Sequence, residues 1–193
     1  MKPLCAITLA GAAAAAGCHH PPRCAPGDTP RLEVRNGAGA LMLAWKNDAV
    51  CDGNGALVGT VEVKKERVTL RDPAGKLRLE LVREGNGGAR GRDREGPQLR
   101  LYRDQRELRV MRADGVPLGS VASEPASGAV VYNQASSPLA KVSLRERDAV
   151  VTDMTGNALT YVHPASDART AGVFAVPSVD PAEKLALYIY WSR

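Results

Sequence analysis

Two thiols and two imidazoles fall within seven residues near the start of this sequence: Cys18-His19-His20-Pro21-Pro22-Arg23-Cys24. Cys and His at such spacing are zinc-ligand types, but a ligating sulfur must be a free thiolate, and no partner cluster of Cys and His follows. Further on, Ser166, Asp167 and His163, in "HPASDAR", are the residue types of a nucleophile, an orienting acid and a base. They lie in one short loop, and the sequence has no Gly-x-Ser-x-Gly elbow and no phosphate-binding loop. Asp48, Asp52, Asn54 and Glu62 offer oxygens for calcium, yet counting from Asp52 puts Leu57 where an EF-hand loop needs Gly. A hairpin turn accounts for Asp52-Gly53-Asn54-Gly55 better. The expectation is therefore a protein with no catalytic residues, no metal and no cofactor, hence not an enzyme.

The first cysteine cluster makes more sense as an address. One positive charge, Lys2, precedes an uncharged, mostly Ala, Leu and Ile stretch that ends in small residues. That is the order of a secretory signal peptide, and the stretch is too short to span a bilayer. Ala15-Ala16-Gly17-Cys18 resembles the bacterial lipobox. The resemblance implies cleavage before Cys18, a diacylglyceryl group on its thiol and an acyl chain such as palmitate on its new amine. Residues 1–17 are then the signal peptide, 18–30 a Pro-rich tether with lipidated Cys18, and 31–193 a single β-rich domain. Several acyl chains anchor far more firmly than one. His19, rather than Asp, follows the cysteine, which under the same rule favours the outer over the inner membrane of the cell envelope.

An extracytoplasmic address changes the reading of the other cysteines. Cys5 leaves with the signal, and Cys24 and Cys51 either pair, as an oxidising compartment permits, or stay as free thiols. The net charge of +5 becomes +4 without Lys2, and nine arginines fall between Arg83 and Arg112. Acidic residues are interspersed, and Tyr102 is the one aromatic among them. No stacking platform for single strands exists there, so the arginines read as solvated strand faces and no nucleic-acid partner is expected.

Period-two alternation dominates the body of the chain. Turn signals at Asp52-Gly53-Asn54-Gly55, Asp72-Pro73-Ala74-Gly75, Asp114-Gly115 and Thr155-Gly156-Asn157 divide it into about a dozen strands. They are expected over 31–36, 40–46, 56–63, 66–71, 76–84, 98–103, 106–112, 116–122, 128–132, 139–145, 148–153 and 157–163. Gly85 to Pro97 lacks an apolar pattern and reads as a flexible loop. Two pairs of segments resemble each other: Gly55–Val61 with Gly115–Val121, and Val68–Leu77 with Val150–Leu159. This favours a duplicated meander.

At the C-terminus, Asp180 is an N-cap candidate, Pro181 suits the first helical position and Glu183 completes a capping box. Leu185 to Trp191 follows with no polar stripe, which predicts burial on every side. Together, "AGVFAVPSVDPAEKLALYIYW" and about twelve preceding strands resemble the tubby C-terminal superfamily, which includes the phospholipid scramblases and the LURP-one-related proteins. The resemblance implies a mainly β, antiparallel, twelve-stranded closed barrel with a buried hydrophobic C-terminal helix, and a strand at Gly172 to Val176 before it. It carries no site residue across. Two functions follow as expectations: a non-enzymatic binding or structural lipoprotein that meets an envelope protein or anionic phospholipid, or a lipid-handling protein. A helix that fills the barrel favours the first, and an apolar cavity beside Leu185 and Tyr188 favours the second.

Overall fold

The computed structural model describes Cys24 and residues 27–193, apart from 86–87 and 126–127. Residues 1–17, expected to form a signal peptide, and Cys18, His19 and His20 lie outside the described residues. The described residues form fourteen strands: β1 (Leu32–Asn36), β2 (Leu41–Lys46), β3 (Ala49–Asp52), β4 (Leu57–Lys64), β5 (Arg67–Arg71), β6 (Leu77–Arg83) and β7 (Ala89–Arg92) make the first half. The second half is β8 (Pro97–Arg103), β9 (Glu107–Arg112), β10 (Pro117–Glu124), β11 (Gly128–Asn133), β12 (Pro138–Arg145), β13 (Asp148–Asp153) and β14 (Ala158–His163). Each strand pairs with its sequence neighbours, and β1 closes on β14 through Glu33↔His163 and Val34↔Val162. The result is a closed antiparallel barrel of fourteen strands, where twelve were expected.

The two extra strands have identifiable causes. β3 is four residues long and sits directly against the Asp52 turn, which hides it. β7 lies inside the expected flexible loop, and it is a strand because it pairs with both β6 and β8. Its inward residues are Ala89 and Gly91, so it shows no apolar alternation. What fixes it is polar: Arg92 Nη2 reaches Glu80 at 2.5 Å, and Arg67 holds the other oxygen of Glu80 at 3.2 Å.

The meander is a sevenfold repeat of one hairpin. At one end of the barrel, turns begin at Asn36, Asp52, Asp72, Asp93, Arg112, Asn133 and Asp153. In six of them the fourth residue's N–H returns to the first residue's carbonyl at 2.8–3.1 Å. The Asp or Asn side chain of the first residue also caps the loop: Asp52 Oδ1 accepts from Asn54 N at 2.9 Å and Ala56 N at 2.8 Å. Asn133 Oδ1 does the same for Ala135 and Ser137. The fourth residue always has positive φ, from 58° at Ser136 to 131° at Gly96, and Gly fills six of the seven positions because it adopts that region without strain. Such a turn leaves a bulge. A register shift interrupts each of these seven hairpins, and none of the pairings joined at the other end. Bulges bend and twist a sheet, so the repeat supplies curvature once per hairpin.

A barrel this wide is not filled by its own inward side chains. The chain after β14 contributes to the same hydrophobic core. It runs through α1 (Ala168–Gly172), a 3-10 turn at Val173–Ala175 and α2 (Pro181–Trp191). The strand expected at Gly172 to Val176 is thus helical. The reason is contact: a Cβ at Gly172 would sit 2.5 Å from Val121 Cγ1, so the backbone presses directly on β10. α2 is eleven residues long, capped by Asp180, whose Oδ1 accepts from Ala182 N at 2.9 Å. Leu185, Ala186 and Leu187 have no exposed surface, but Glu183, Lys184 and Tyr190 keep some. The helix is therefore not dry on all sides. No helix among the described residues is long and apolar enough to cross a membrane.

Candidate functional site

The end opposite the seven like turns is built from unlike pieces. Arg31 enters β1 there, its N–H donating to Trp45 O at 2.8 Å and its guanidinium lying 5.4 Å from the centre of the Trp45 ring. β14 leaves there through a cis His163–Pro164 bond. Ala165 N then donates to Arg147 O in the β12–β13 turn at 2.6 Å. The C-terminal turn of α2 returns to the same end. Tyr188 OH donates to Pro164 O at 2.8 Å, and Ser192 Oγ donates to Tyr188 O at 2.7 Å.

Between these pieces lies a cavity of about 480 Å³, half open to solvent. Leu32, Trp45, Val63, Pro164 and Ile189 form apolar walls, and Tyr188 lies beside them. Burial pushes the Tyr188 hydroxyl above the usual phenol range, so it stays a neutral donor. Arg31, Arg147 and Arg193 stand around the opening with one acid, Glu146. Among the described residues, none of the three arginines has a carboxylate within 4.0 Å; Arg193 Nη2 instead donates to Lys65 O at 3.0 Å. Trp45 Nε1 is buried and has no hydrogen-bond partner among the described residues. A buried N–H without an acceptor is costly. The size and lining are those of a small-molecule site: apolar walls with a few convergent polar groups.

The residues singled out in the sequence are mostly engaged elsewhere. His163 Nδ1 meets Asp148 Oδ1 at 2.5 Å, and both side chains are more than half exposed. Asp167 is not its partner. It caps α1, accepting from Arg169 N at 3.1 Å and Thr170 Oγ1 at 2.8 Å. Ser166 lines the cavity, so the three do not form a relay. Asp52 is spent on its turn. Glu62 pairs with Lys64 at 2.7 Å, a hydrogen bond that holds its carboxyl below the usual range. Among the described residues no group of three or more His, Cys, Asp and Glu could hold a metal ion.

Several arginines of the 83–112 stretch lie on outer strand faces in ion pairs. Arg90 pairs with Glu84, Arg109 with Glu107 at 2.5 Å, and Arg112 with Asp114 at 2.9 Å. A disulfide joins Cys24 to Cys51. Cys51 stands opposite Ala44 in the β2–β3 pair, and both are nearly inaccessible, at 2% and 1%. At the opposite end of α2, burial pushes the Glu183 acid up and the Lys184 amine down. Lys184 Nζ donates to Phe174 O at 3.0 Å.

Sequence reasoning had no hold on Trp45, Arg31, Arg147 or Arg193 as a group. Arg31 and Trp45 come from the first hairpin, Arg147 from the β12–β13 turn and Arg193 from the residues after α2, and no motif links the three segments. One signal was available: Trp45 is one of two tryptophans in the chain and ends an alternating strand.

No family model matches the chain, and no curated protein matches it. A solved X-ray structure of a protein from Arabidopsis thaliana aligns with a TM-score of 0.45 at 15% identity, covering 86% of this chain and 94% of that one. A likeness of that size carries no argument about ligand, activity or family.

Proposed function

We propose that the chain is a lipid-anchored extracytoplasmic bacterial lipoprotein whose barrel is a non-enzymatic binding module at a membrane surface. In this reading α1 and α2 plug the barrel, in the manner of the tubby-like resemblance, and binding falls to the open end. The supporting observation is the cavity beside Tyr188 and Ile189, with its apolar walls and three arginines. The tubby-like part of the reading rests on the C-terminal segment "AGVFAVPSVDPAEKLALYIYW", since the strand number differs. The cavity favours the lipid-handling version over a purely structural role.

The disulfide gives the anchor a geometry. From a lipidated Cys18 to Cys24 is six residues, a reach of roughly 20 Å at most. Without the bond the free tether would run to Arg31, thirteen residues and roughly 45 Å. The bond therefore keeps the β2–β3 side of the barrel against the membrane. Labelling with a radioactive fatty acid in a bacterial host tests the anchor. The protein should carry label and fractionate with membranes, and Cys18→Ser should abolish both. Persistent label in Cys18→Ser overturns the anchor.

A further inference from the structure

We infer that the cavity at the open end takes an anionic single-chain amphiphile, a medium-chain fatty acyl carboxylate. This deepens the binding-module reading and rests on it, while the anchor is tested separately by the Cys18 labelling. The chemistry divides the cavity in two. Leu32, Val63, Pro164 and Ile189 offer a surface without polar demand, which suits a hydrocarbon tail. Arg31, Arg147 and Arg193 bring three guanidinium groups to the cavity against one acidic side chain, Glu146. Arg31 and Arg147 have no carboxylate partner among the described residues, unlike Arg35, Arg67 or Arg92 on the outer strand faces. An anionic head at the opening would gain charge-assisted hydrogen bonds without breaking an existing ion pair.

Trp45 joins the two parts. Its ring forms wall, and the Arg31 guanidinium lies 5.4 Å from the ring centre. A carboxylate brings acceptors only, which matches guanidinium groups that are donors only. A neutral alcohol of the same length would fill the walls but leave the arginines unused. The chain's own anchor is a poor occupant for the same reason, since diacylglyceryl and amide-linked acyl groups carry no charge.

The test uses the full chain carrying Cys18→Ser, purified without detergent, and tryptophan fluorescence as readout. The probes are dodecanoate brominated on its chain, the matching brominated dodecanol, and acetate. Bromododecanoate, kept below its micellar concentration, should quench saturably, and the alcohol should bind at least tenfold more weakly. Acetate should neither bind nor compete, which separates an amphiphile site from a simple anion site. Arg31→Gln with Arg147→Gln, both at exposed positions, should weaken the acid about tenfold and leave the alcohol unchanged. Trp45→Phe should remove most of the quenching and leave only the contribution of Trp191. Equal affinity for acid and alcohol, competition by acetate, or full quenching in Trp45→Phe would each overturn the proposal. A positive Cys18 label together with any of these results leaves the anchor standing and removes the ligand.

Discussion

The two sides of the barrel interior fill space by opposite means. β4, β5 and β6 face α2 with large side chains: Val61, Val68, Leu70, Leu79 and Leu81, all 2% exposed or less. β10 to β13 face α1 with a mixture of Val and Ala, where Ala129, Ala140 and Ala149 are equally buried. The helices match their walls. α2 brings Leu185, Leu187 and Ile189, whereas α1 is Ala-Arg-Thr-Ala-Gly and ends in Gly172 against Val121. Large side chains hold a helix away from a sheet and bury much apolar area. Small ones let backbone approach backbone, where one added methyl has nowhere to go. One wall should thus be sensitive to loss of volume and the other to gain.

The largest effect is expected on the wide side. Leu185→Ala removes a fully buried side chain and leaves a cavity, at a cost of about 2–5 kcal/mol. Ala149→Gly, its counterpart on the narrow side, removes a single methyl and should cost about 1–2 kcal/mol. Thermal or denaturant melts of the two variants compare them directly, and equal losses would break the contrast. The next effect is expected from adding volume on the narrow side. Gly172→Ala should cost about 1–3 kcal/mol, because its Cβ would meet Val121 Cγ1 at 2.5 Å and Val131 Cγ2 at 3.3 Å. The backbone there is ordinary right-handed helix, so contact alone is at issue. Val121→Ala opens that contact, and the double variant should be less destabilised than the two singles added together.

This contrast also explains what the sequence could show. Twelve strands were legible because Leu or Val alternates with polar residues, as along Leu77-Arg78-Leu79-Glu80-Leu81. β7 was not, because Gly91 supplies the inward position and carries no side chain to alternate. The strand that the tubby-like resemblance implied at Gly172 to Val176 is helical through Ala175 instead, because Gly172 packs against a strand fifty residues earlier. Local propensity holds no record of such a contact. The repeat was half visible: two pairs of similar segments could be matched, while the seven hairpins share chiefly a turn whose first residue alternates among Asp, Asn and Arg. The open-end site was the least legible part. Tyr188 was named, with Leu185, only as the place where a cavity would favour lipid handling. Arg31 and Arg147 became neighbours only when β1 closed on β14, a pairing across nearly the whole chain.

The smallest effect separates the walls at their turns. The β5–β6 hairpin of the wide side and the β11–β12 hairpin of the narrow side close with the same backbone hydrogen bonds but differ in the residue at the fourth position. The fourth residue is Gly75 at φ 79° in the first and Ser136 at φ 58° in the second. Left-handed backbone brings the Cβ of an L residue close to its following carbonyl, and Gly avoids this. Both positions look outward, since a Cβ at Gly75 would meet nothing within 4 Å and Ser136 is exposed. No packing is therefore lost or gained in either direction. Ser136→Gly should stabilise the protein by about 0.5–1 kcal/mol, and Gly75→Ser should destabilise it by a similar amount. Reciprocal shifts of the melting midpoint would show that the two hairpins are one unit repeated. If Ser136→Gly instead lowers the midpoint, the serine contributes something to the narrow side that its turn geometry does not, and the repeat is broken at that hairpin.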